Sequence, residues 1–410
     1  MIRIILLLVV FASSEAKLFG FDNNACKNWS DYFTVNISPN CWYEPDVRAT
    51  TKERIKRHFG VNGYETHEVQ TKDGYILLMF RILRENPKGI VVLQHPISSD
   101  GSIWMDQGNA STAITFWEQG YEVWIPNHRG TWYSEGHVNL TINDYNYWNW
   151  TFHEIGIYDY AAFFEKISEV TNSNDLIFVG HSMAGSSSLA YASLYPEHAQ
   201  KYLKILILMG PVSYMKYVRS PLKEFSPAVD MLRAFTKRLG IGGICTKDST
   251  CIKLITWASN LPIKDLVVAI IMVFTGWTPG EFDPPLYYYM TTGLKGTGLG
   301  VYYHYAQIVN AGGKYQMWDY GEQGNLIAYN STTPPEYPVE NINVPVYLVT
   351  SSSDSCGTVG DSQILYSKLP KTTRTYGKFE TTGLNHIDVH WGKDRNKVYD
   401  RIFNLINKIL

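Results

Sequence analysis

The sequence predicts an α/β fold in which helices cover a mostly parallel sheet and a long helical segment is inserted late in the chain. Three observations predict it. Short apolar runs recur along the chain, helical stretches separate these runs, and one long region has helical patterns with few strands. An alternation of strands and helices favours right-handed crossovers and therefore a parallel sheet.

Several runs have the near-continuous apolar character of strands that are buried on both faces. Helical stretches lie between them, for example over residues 154–170 and 189–195. The strand-like runs are "GIVVLQH" ending at His95, "YEVWIPN" ending at Asn127, "LIFVG" ending at Gly180, "LKILILMG" ending at Gly210 and "VPVYLVTSSS" ending at Ser353.

The pattern changes between Tyr214 and Pro335, where strand-like runs become rare and helical patterns dominate. The most apolar stretch in this region is "DLVVAIIMVFTGW", from Asp265 to Trp277. Its unbroken apolar run is too short to cross a bilayer. Two interpretations stay open: a helix buried in the core, or a lid face that is turned towards lipid.

The N-terminus has the pattern of a secretory signal peptide. A positive Arg3 precedes a short apolar run from Ile4 to Ala12, and small residues follow at Ser14 and Ala16. The pattern predicts cleavage after Ala16, so that residues 1–16 are removed, with a buried N-terminal strand as the alternative. The net charge of −2 and the lack of a lysine and arginine block argue against a nucleic-acid partner.

Sequons and cysteines agree with the secretory route. Cys245 and Cys251 are near enough to close a small loop, and Cys26 with Cys41 could join the mature N-terminus, which leaves Cys356 unpaired. The glycosylation candidates, each in an N-x-S/T sequon, are Asn28, Asn36, Asn109, Asn139, Asn149 and Asn330.

The stretch "GHSMAG" places Ser182 directly after the apolar run "NDLIFVG" and before a helix rich in small residues that stops before Pro196. A nucleophilic serine on a tight strand-to-helix turn needs small neighbours, because the backbone folds back sharply there. The motif G-x-S-x-G is met except that Ala184 replaces the last glycine. We therefore predict Ser182 as a nucleophile.

A serine nucleophile needs a base, and the base needs an orienting acid. Asp354 follows the strand "VPVYLVTSSSD" at the end where α/β sheets carry reactive groups. His386 lies in "TTGLNHIDVHW", after one more expected strand, "RTYGKFE". The order serine, aspartate, histidine is that of hydrolases with a nucleophile elbow, and it predicts a triad of Ser182, Asp354 and His386.

Other polar residues compete less well for these roles. Asp361 is expected to cap the helix "SQILYSKL", and Asp388 is too near His386 in sequence to be a separate strand-end acid. His181 points away from its neighbour Ser182 and is expected to be structural. His386 and His390 have a spacing that could suit a metal, but no H-E-x-x-H motif or cysteine cluster accompanies them. We expect neither a metal nor a cofactor.

The oxyanion of an acyl-transfer intermediate needs two backbone N–H donors. One is expected from Met183, at the positive end of the helix that follows Ser182. The other is expected from Ile97 in the loop after "GIVVLQH", because Pro96 has no N–H to donate.

The blocks "VVLQHPISSDGSIW", "VGHSMAG" and "LNHIDVHW" resemble those of the acid lipases, including gastric and lysosomal acid lipases, within the α/β hydrolases. The resemblance covers nearly all of the mature chain. It implies an α/β-hydrolase core in two parts, 17–213 and 336–410, with a helical cap and lid over 214–335 and a disulfide in the cap similar to Cys245–Cys251. Its carriers include "HEVQTKDGYILLMFRI", "VVLQHPISSDGSIW", "GYEVWIPNHRGTWYS", "VGHSMAG", "NVPVYLVTSSSD" and "LNHIDVHW".

The chain departs from the family pattern near the expected site. Pro96 stands where the family has glycine after His95, Ala184 replaces an elbow glycine, and "SSSD" replaces "GGND". Pro96 restricts the loop of the second oxyanion donor. The extra methyl of Ala184 costs about 1–3 kcal/mol if nothing moves, and a small shift at Gly185 could give it room.

The resemblance implies a secreted or lysosomal hydrolase of a neutral lipid ester, such as a triacylglycerol or a sterol ester, that works through an acyl-enzyme and touches a lipid interface transiently. Two alternatives stay open. A catalytically impaired lipid carrier or storage protein on the same scaffold has no need of an intact triad. A carboxylesterase for small esters needs a narrow, closed cap.

Overall fold

The computed structural model of the protein describes residues 24–34, 37–43, 49–259 and 263–410. The expected signal peptide and the sequon at Asn36 lie outside the described residues. The strands are β1 (Asn24–Cys26), β2 (Cys41–Tyr43), β3 (Tyr64–Gln70), β4 (Tyr75–Ile82), β5 (Ile90–Gln94), β6 (Glu122–Pro126), β7 (Gly136–His137), β8 (Leu176–His181), β9 (Leu203–Met209), β10 (Gly243–Ile244), β11 (Thr297–Gly298), β12 (Val346–Ser351) and β13 (Lys378–Thr381).

Helices follow most of these strands, and several 3₁₀ turns lie between them. The α-helices are α1 (Thr51–Phe59), α2 (Thr112–Glu118), α3 (Ala161–Thr171), α4 (Met183–Leu194), α5 (Pro196–Tyr202), α6 (Val229–Arg238), α7 (Thr250–Ser259), α8 (Lys264–Thr275), α9 (Tyr287–Thr292), α10 (Leu299–Asn310), α11 (Glu322–Tyr329), α12 (Val359–Lys368), α13 (Asp388–Trp391) and α14 (Asn396–Ile409). A short α-turn (Phe152–Glu154) and a π-helical turn (Ile155–Tyr160) lead directly into α3.

One sheet organises the described chain, with the strand order β13-β12-β9-β8-β5-β6-β4-β3 and with β7 paired to β4. The strands from β13 to β6 in this order are parallel, whereas β3, β4 and β7 add an antiparallel edge. The predicted α/β fold with a mostly parallel sheet is confirmed. The chain steps to one side after β5 and to the other side at β8, so a crevice opens beyond the carboxyl ends of these two strands.

The apolar runs became strands because their side chains are buried on both faces of the sheet. Val92 and Phe178 pack into one core with α3 and α4, and Val91 and Ile177 pack into the opposite core with α2 and α14. The five runs singled out in the sequence correspond to β5, β6, β8, β9 and β12. The expected strand "RTYGKFE" is shorter, since Lys371–Arg374 form a 3₁₀ turn and β13 begins only at Lys378.

Between β9 and β12 the chain is mostly helical, in agreement with the sequence pattern. Helix α8 meets both interpretations of its apolar run, because Val268 and Met272 are buried while Ile270 and Val273 are each 51% exposed. Helix α10 packs into the sheet core instead. The division into a core in two parts and a cap over 214–335 stays a prediction.

Two disulfides join the pairs named from the sequence, Cys26–Cys41 and Cys245–Cys251, and Cys356 has a free thiol. The first bridge closes the antiparallel hairpin of β1 and β2. Among the described residues no helix is both long and apolar enough to cross a bilayer. The described sequon asparagines are all exposed, namely Asn28, Asn109, Asn139, Asn149 and Asn330.

Candidate active site

Ser182 lies on a sharp turn between β8 and α4. Its backbone has φ 58° and ψ −114°, outside the conformations that a residue with a side chain adopts freely. Its N–H donates to the carbonyl of Met209 on the neighbouring strand β9 at 3.0 Å, which holds the turn. The turn directs the serine into the crevice beyond the sheet, as the elbow motif predicts.

The extra methyl of Ala184 is accommodated by Gly180. A Cβ atom at position 180 would lie 2.9 Å from the Ala184 Cβ and 2.6 Å from the Phe178 ring. Gly185 has no such room, because a Cβ atom there would lie 2.6 Å from Pro211. The absent side chain of Gly180, on the strand before the turn, therefore leaves the space that the Ala184 methyl borders, whereas a shift at Gly185 stays a prediction.

Ser182, His386 and Asp354 form a continuous hydrogen-bonded chain. The Ser182 Oγ lies 2.7 Å from the His386 Nε2, and the His386 Nδ1 lies 2.8 Å from the Asp354 Oδ2. The three residues are between 2% and 8% exposed, so water screens these contacts little. Since a carboxylate only accepts, the neutral imidazole carries its proton on Nδ1 and offers Nε2 to the serine hydroxyl.

The loop after β12 satisfies the second oxygen of Asp354. The backbone N–H groups of Cys356 and Gly357 donate to the Asp354 Oδ1 at 2.7 and 2.9 Å. The Arg219 guanidinium donates to the carbonyls of Ser352 and Asp354 at 2.8 and 2.6 Å, which anchors the same loop. The sequence reasoning missed these supporting groups, because backbone donors leave no motif and Arg219 is remote in sequence.

Gly210, at the end of β9, makes room for the aspartate and histidine. Its φ is 51°, and a Cβ atom there would lie 2.8 Å from the Asp354 Oδ2 and 3.3 Å from the His386 Nδ1. A side chain at this position would therefore enter the bond between the two residues. The sequence contained one signal for it, a glycine directly after a buried strand.

The competing residues have other partners. Asp388 accepts from the backbone N–H of Asn385 at 2.6 Å and from the Thr278 hydroxyl at 2.7 Å, and burial raises its pKa to about 6. Asp361 stands in the first turn of α12, but the capping residue is Thr358, whose hydroxyl accepts from the Asp361 N–H.

His390 does not join His386 in a metal-like pair. Its Nε2 lies 3.1 Å from the Nδ1 of His181, and the His181 Nε2 lies 2.8 Å from the backbone carbonyl of His386.

A different cluster offers donor atoms for a cation, because donor atoms of Asp354, Cys356 and His386 lie within 4.8 Å of one another. A metal there would have to break the bond between Asp354 and His386. Burial also raises the pKa of the Cys356 thiol, which disfavours the thiolate.

The two expected oxyanion donors follow β5 and β8, the two strands beside the crevice. Met183 is the first residue of α4, where helical N–H groups have no acceptor within the helix. Ile97 follows β5 and lines a cavity of about 360 Å³ together with His181 and Ile387, the sequence neighbours of Ser182 and His386. The rest of the lining is mainly apolar and comes largely from the helical segment, including Ile255, Ala258, Val267, Ile271, Met290 and Leu294.

Comparison with known proteins agrees with this architecture. The model of the alpha/beta hydrolase fold matches residues 89–235, and that of a partial alpha/beta-hydrolase lipase region matches residues 53–108. Lipase 3 of Drosophila melanogaster is 30% identical over 83% of this chain and 89% of its own length. The chain belongs to the acid lipase family. It is a lipase, a carboxylic ester hydrolase with the α/β-hydrolase fold.

Other relatives place the lipase in the same group. The gastric triacylglycerol lipase of Rattus norvegicus is 29% identical over 83% of this chain and 88% of its own. The human lysosomal acid lipase/cholesteryl ester hydrolase is 27% identical over 89% and 92%. A crystal structure from Acinetobacter baumannii shares the fold at 14% identity, with a TM-score of 0.51 over 88% of the lipase and 96% of that chain.

Proposed function

We propose that the lipase cleaves neutral lipid esters with Ser182 as the nucleophile, His386 as general base and then general acid, and Asp354 as the orienting acid. The observation that carries this proposal is the unbroken chain of short contacts from the Ser182 Oγ through the imidazole to the Asp354 carboxylate. A serine hydroxyl is activated when an adjacent base takes its proton, and the base keeps its tautomer when a carboxylate holds the other nitrogen.

The reaction proceeds in two halves. The His386 Nε2 takes the hydroxyl proton while the Ser182 Oγ bonds to the ester carbonyl carbon, and the carbonyl oxygen becomes an oxyanion. The N–H groups of Met183 and Ile97 bind that oxyanion. Collapse breaks the ester C–O bond, the His386 Nε2–H protonates the departing alcohol, and the acyl group remains on Ser182. A water molecule, deprotonated by Nε2, then bonds to the acyl carbon. The bond from that carbon to the Ser182 Oγ breaks, Nε2–H returns the proton to Oγ, and the acid leaves.

The cavity supports a lipid substrate. Its volume of about 360 Å³ and mainly apolar lining suit a fatty acyl chain, which gains roughly 0.8 kcal/mol for each CH₂ group that leaves water. Two relatives are named for triacylglycerol and cholesteryl esters, and we assign the same substrate classes to this enzyme. Hydrolysis rates on long and short acyl esters of glycerol and of a sterol test the assignment, and higher rates on the long acyl esters are expected. Preference for short esters of small alcohols would favour a carboxylesterase.

Transient contact with a lipid surface is the second part of the proposal. Helices α6 and α8 of the helical segment expose large apolar side chains, including Met231 at 69% and Phe235 at 59% exposure. Met231→Ser with Phe235→Ser should lower the rate on emulsified triacylglycerol several-fold and leave a soluble ester unaffected. Ile327→Ser is the control, at a residue of α11 that is 89% exposed and thus more exposed than either. Equal loss on both substrates would contradict a surface role.

We also propose passage through the secretory pathway to the lysosome or the cell exterior. Two disulfides and the exposed sequon asparagines support it, because both modifications are made in an oxidising, glycosylating compartment. A mass decrease of the purified protein on treatment with an N-glycosidase tests the proposal; an unchanged mass would count against glycosylation.

The decisive experiment is covalent labelling of the serine. An active-site phosphonate probe should label the wild-type enzyme and fail to label Ser182→Ala. Ser188→Ala is the matched control. Ser188 is a buried serine of α4, the helix that follows Ser182, and its hydroxyl donates to the Gly185 carbonyl. Equal labelling of Ser182→Ala and wild type would refute the assignment.

A further inference from the structure

The main chain of His386 is held at both of its polar groups by other parts of the molecule. Its N–H donates to the carbonyl of Thr275 at the end of α8, at 3.1 Å. Its carbonyl accepts from the Nε2 of His181, at 2.8 Å. The orientation of the His386 backbone determines where the imidazole points, because the Cα–Cβ bond moves with the backbone.

The hydrogen bonds of His181 fix its tautomer. A backbone carbonyl only accepts, so the His181 Nε2 must carry a proton. In a neutral imidazole the other nitrogen is then an acceptor, and the group facing it is the Nε2 of His390 at 3.1 Å. The direction of donation therefore runs from His390 to His181 and from His181 to the His386 carbonyl.

We propose that His390 is a positioning residue: through His181 it holds the main chain of His386, and thereby the imidazole, in line with the Ser182 Oγ. This inference rests on the proposed function of Ser182 and His386. His390 touches neither substrate nor the reacting atoms. Its Nε2–H donates a hydrogen bond to the His181 Nδ1. That bond favours the tautomer in which the His181 proton is on Nε2 and faces the His386 carbonyl.

The surroundings keep both rings neutral, as the directional chain requires. His181 and His390 are each 1% exposed. Burial lowers the pKa of His181 far below its usual range and lowers that of His390 to about 3. Charge repulsion adds to the shift, from His386 and His390 on His181, and from Arg395 and then His386 on His390. Burial and these charges therefore favour the neutral rings that fix the two tautomers.

His390 is itself anchored from a different part of the chain. The Trp104 ring packs edge-on against it with ring centroids 4.9 Å apart, and the Gln107 side-chain amide donates to the His390 carbonyl. Both residues belong to the segment after β5, which also carries Ile97. The chain of contacts thus connects the position of His386 to the segment that carries Ile97, the expected oxyanion donor.

The test compares substitutions that remove or keep the donor at residue 390. His390→Leu should lower kcat about tenfold to a hundredfold, the range expected when a catalytic group is misplaced by up to about 1 Å, with KM changed less than about threefold. His390→Gln, which keeps an N–H donor at similar reach, should recover most of the rate. The low-field NMR resonance of the His386 Nδ1 proton should broaden or shift in His390→Leu. In His390→Gln it should keep its wild-type position and width.

A double-variant cycle separates positioning from packing. If His390 acts through His181, His390→Leu should have little further effect on kcat in a His181→Leu background, and the two losses should not add. Rates are normalised to phosphonate-titrated sites and compared with melting temperatures; His390→Phe replaces His390→Leu if the latter does not fold.

Each outcome bears on one proposal. Wild-type-like kcat in His390→Leu, equal damage in His390→Gln, or additive losses would overturn the positioning role while the proposed function stands. Failure of the phosphonate to label Ser182 in the wild type would overturn the proposed function itself.

Discussion

Gly210→Ala should disable the lipase although Ser182, His386 and Asp354 themselves are not substituted. The new Cβ atom would lie 2.8 Å from the Asp354 Oδ2 and 3.3 Å from the His386 Nδ1. Non-bonded heavy atoms are most favourable at about 3.5 Å, so the carboxylate oxygen must retreat by roughly 0.7 Å. These are the two atoms of the 2.8 Å hydrogen bond that orients the imidazole.

The expected loss follows from that displacement. A misplacement of this size in a catalytic group costs about a hundredfold in rate, which corresponds to about 2.7 kcal/mol of transition-state stabilisation. Complete loss of the bond between the aspartate and the histidine would raise the cost towards about ten-thousandfold. The loss should appear in kcat rather than KM, because the acyl cavity is not touched.

Gly240→Ala is the matched control. Gly240 also has a positive φ, of 69°, and an added Cβ atom would meet no atom within 4 Å. It bears the same left-handed backbone penalty of about 1–2 kcal/mol without the contact at the site. The assay is hydrolysis of a soluble ester per phosphonate-titrated site, together with the melting temperature. Equal activity of the two alanine variants would refute the reasoning.

Three further predictions concern other contacts. Gly276→Ala should lower kcat about tenfold to a hundredfold in the same assay. Its Cβ would lie 2.0 Å from the Ser353 carbonyl and push away the Thr275 carbonyl, which accepts from the His386 N–H. Gly280→Ala is the control and should match wild type, because its Cβ would meet no atom within 4 Å. Ala184→Gly should keep activity within about threefold but lower the free energy of unfolding by about 1–2 kcal/mol in denaturant titrations, through helix propensity and the lost buried methyl; a gain in stability would contradict it. Burial raises the pKa of Asp388 to about 6 in the folded state, so the folded protein binds this proton more tightly than the unfolded chain does. The contribution of Asp388 to stability is therefore greatest below about pH 4 and is lost as the pH rises through 6. Asp388→Asn should flatten this part of the melting-temperature profile between pH 4 and 7, and Asp394→Asn, at a half-exposed residue, should not.

Much of the fold was predictable because it depends on local composition. A strand buried on both faces must be apolar along its length, and that requirement made β5, β6, β8, β9 and β12 visible in the sequence. The elbow around Ser182 was visible for a similar reason, since a tight turn next to a packed helix demands small residues within a few positions. Asp354 stood out because it ends a strand at the edge where α/β sheets carry reactive groups, and His386 because it follows in the chain order of hydrolases with such an elbow.

The arrangement around these residues depends on contacts between distant segments, which no local pattern encodes. Gly180 and Ala184 share one space because the strand and the helix fold back on each other, and only the packed turn decides which glycine provides the room. Gly210, Thr275 and His181 reach His386 from three separate elements. Hydrogen bonds and close contacts act over about 3 Å, and the tertiary structure alone brings residues that are more than a hundred positions apart in the chain within that distance.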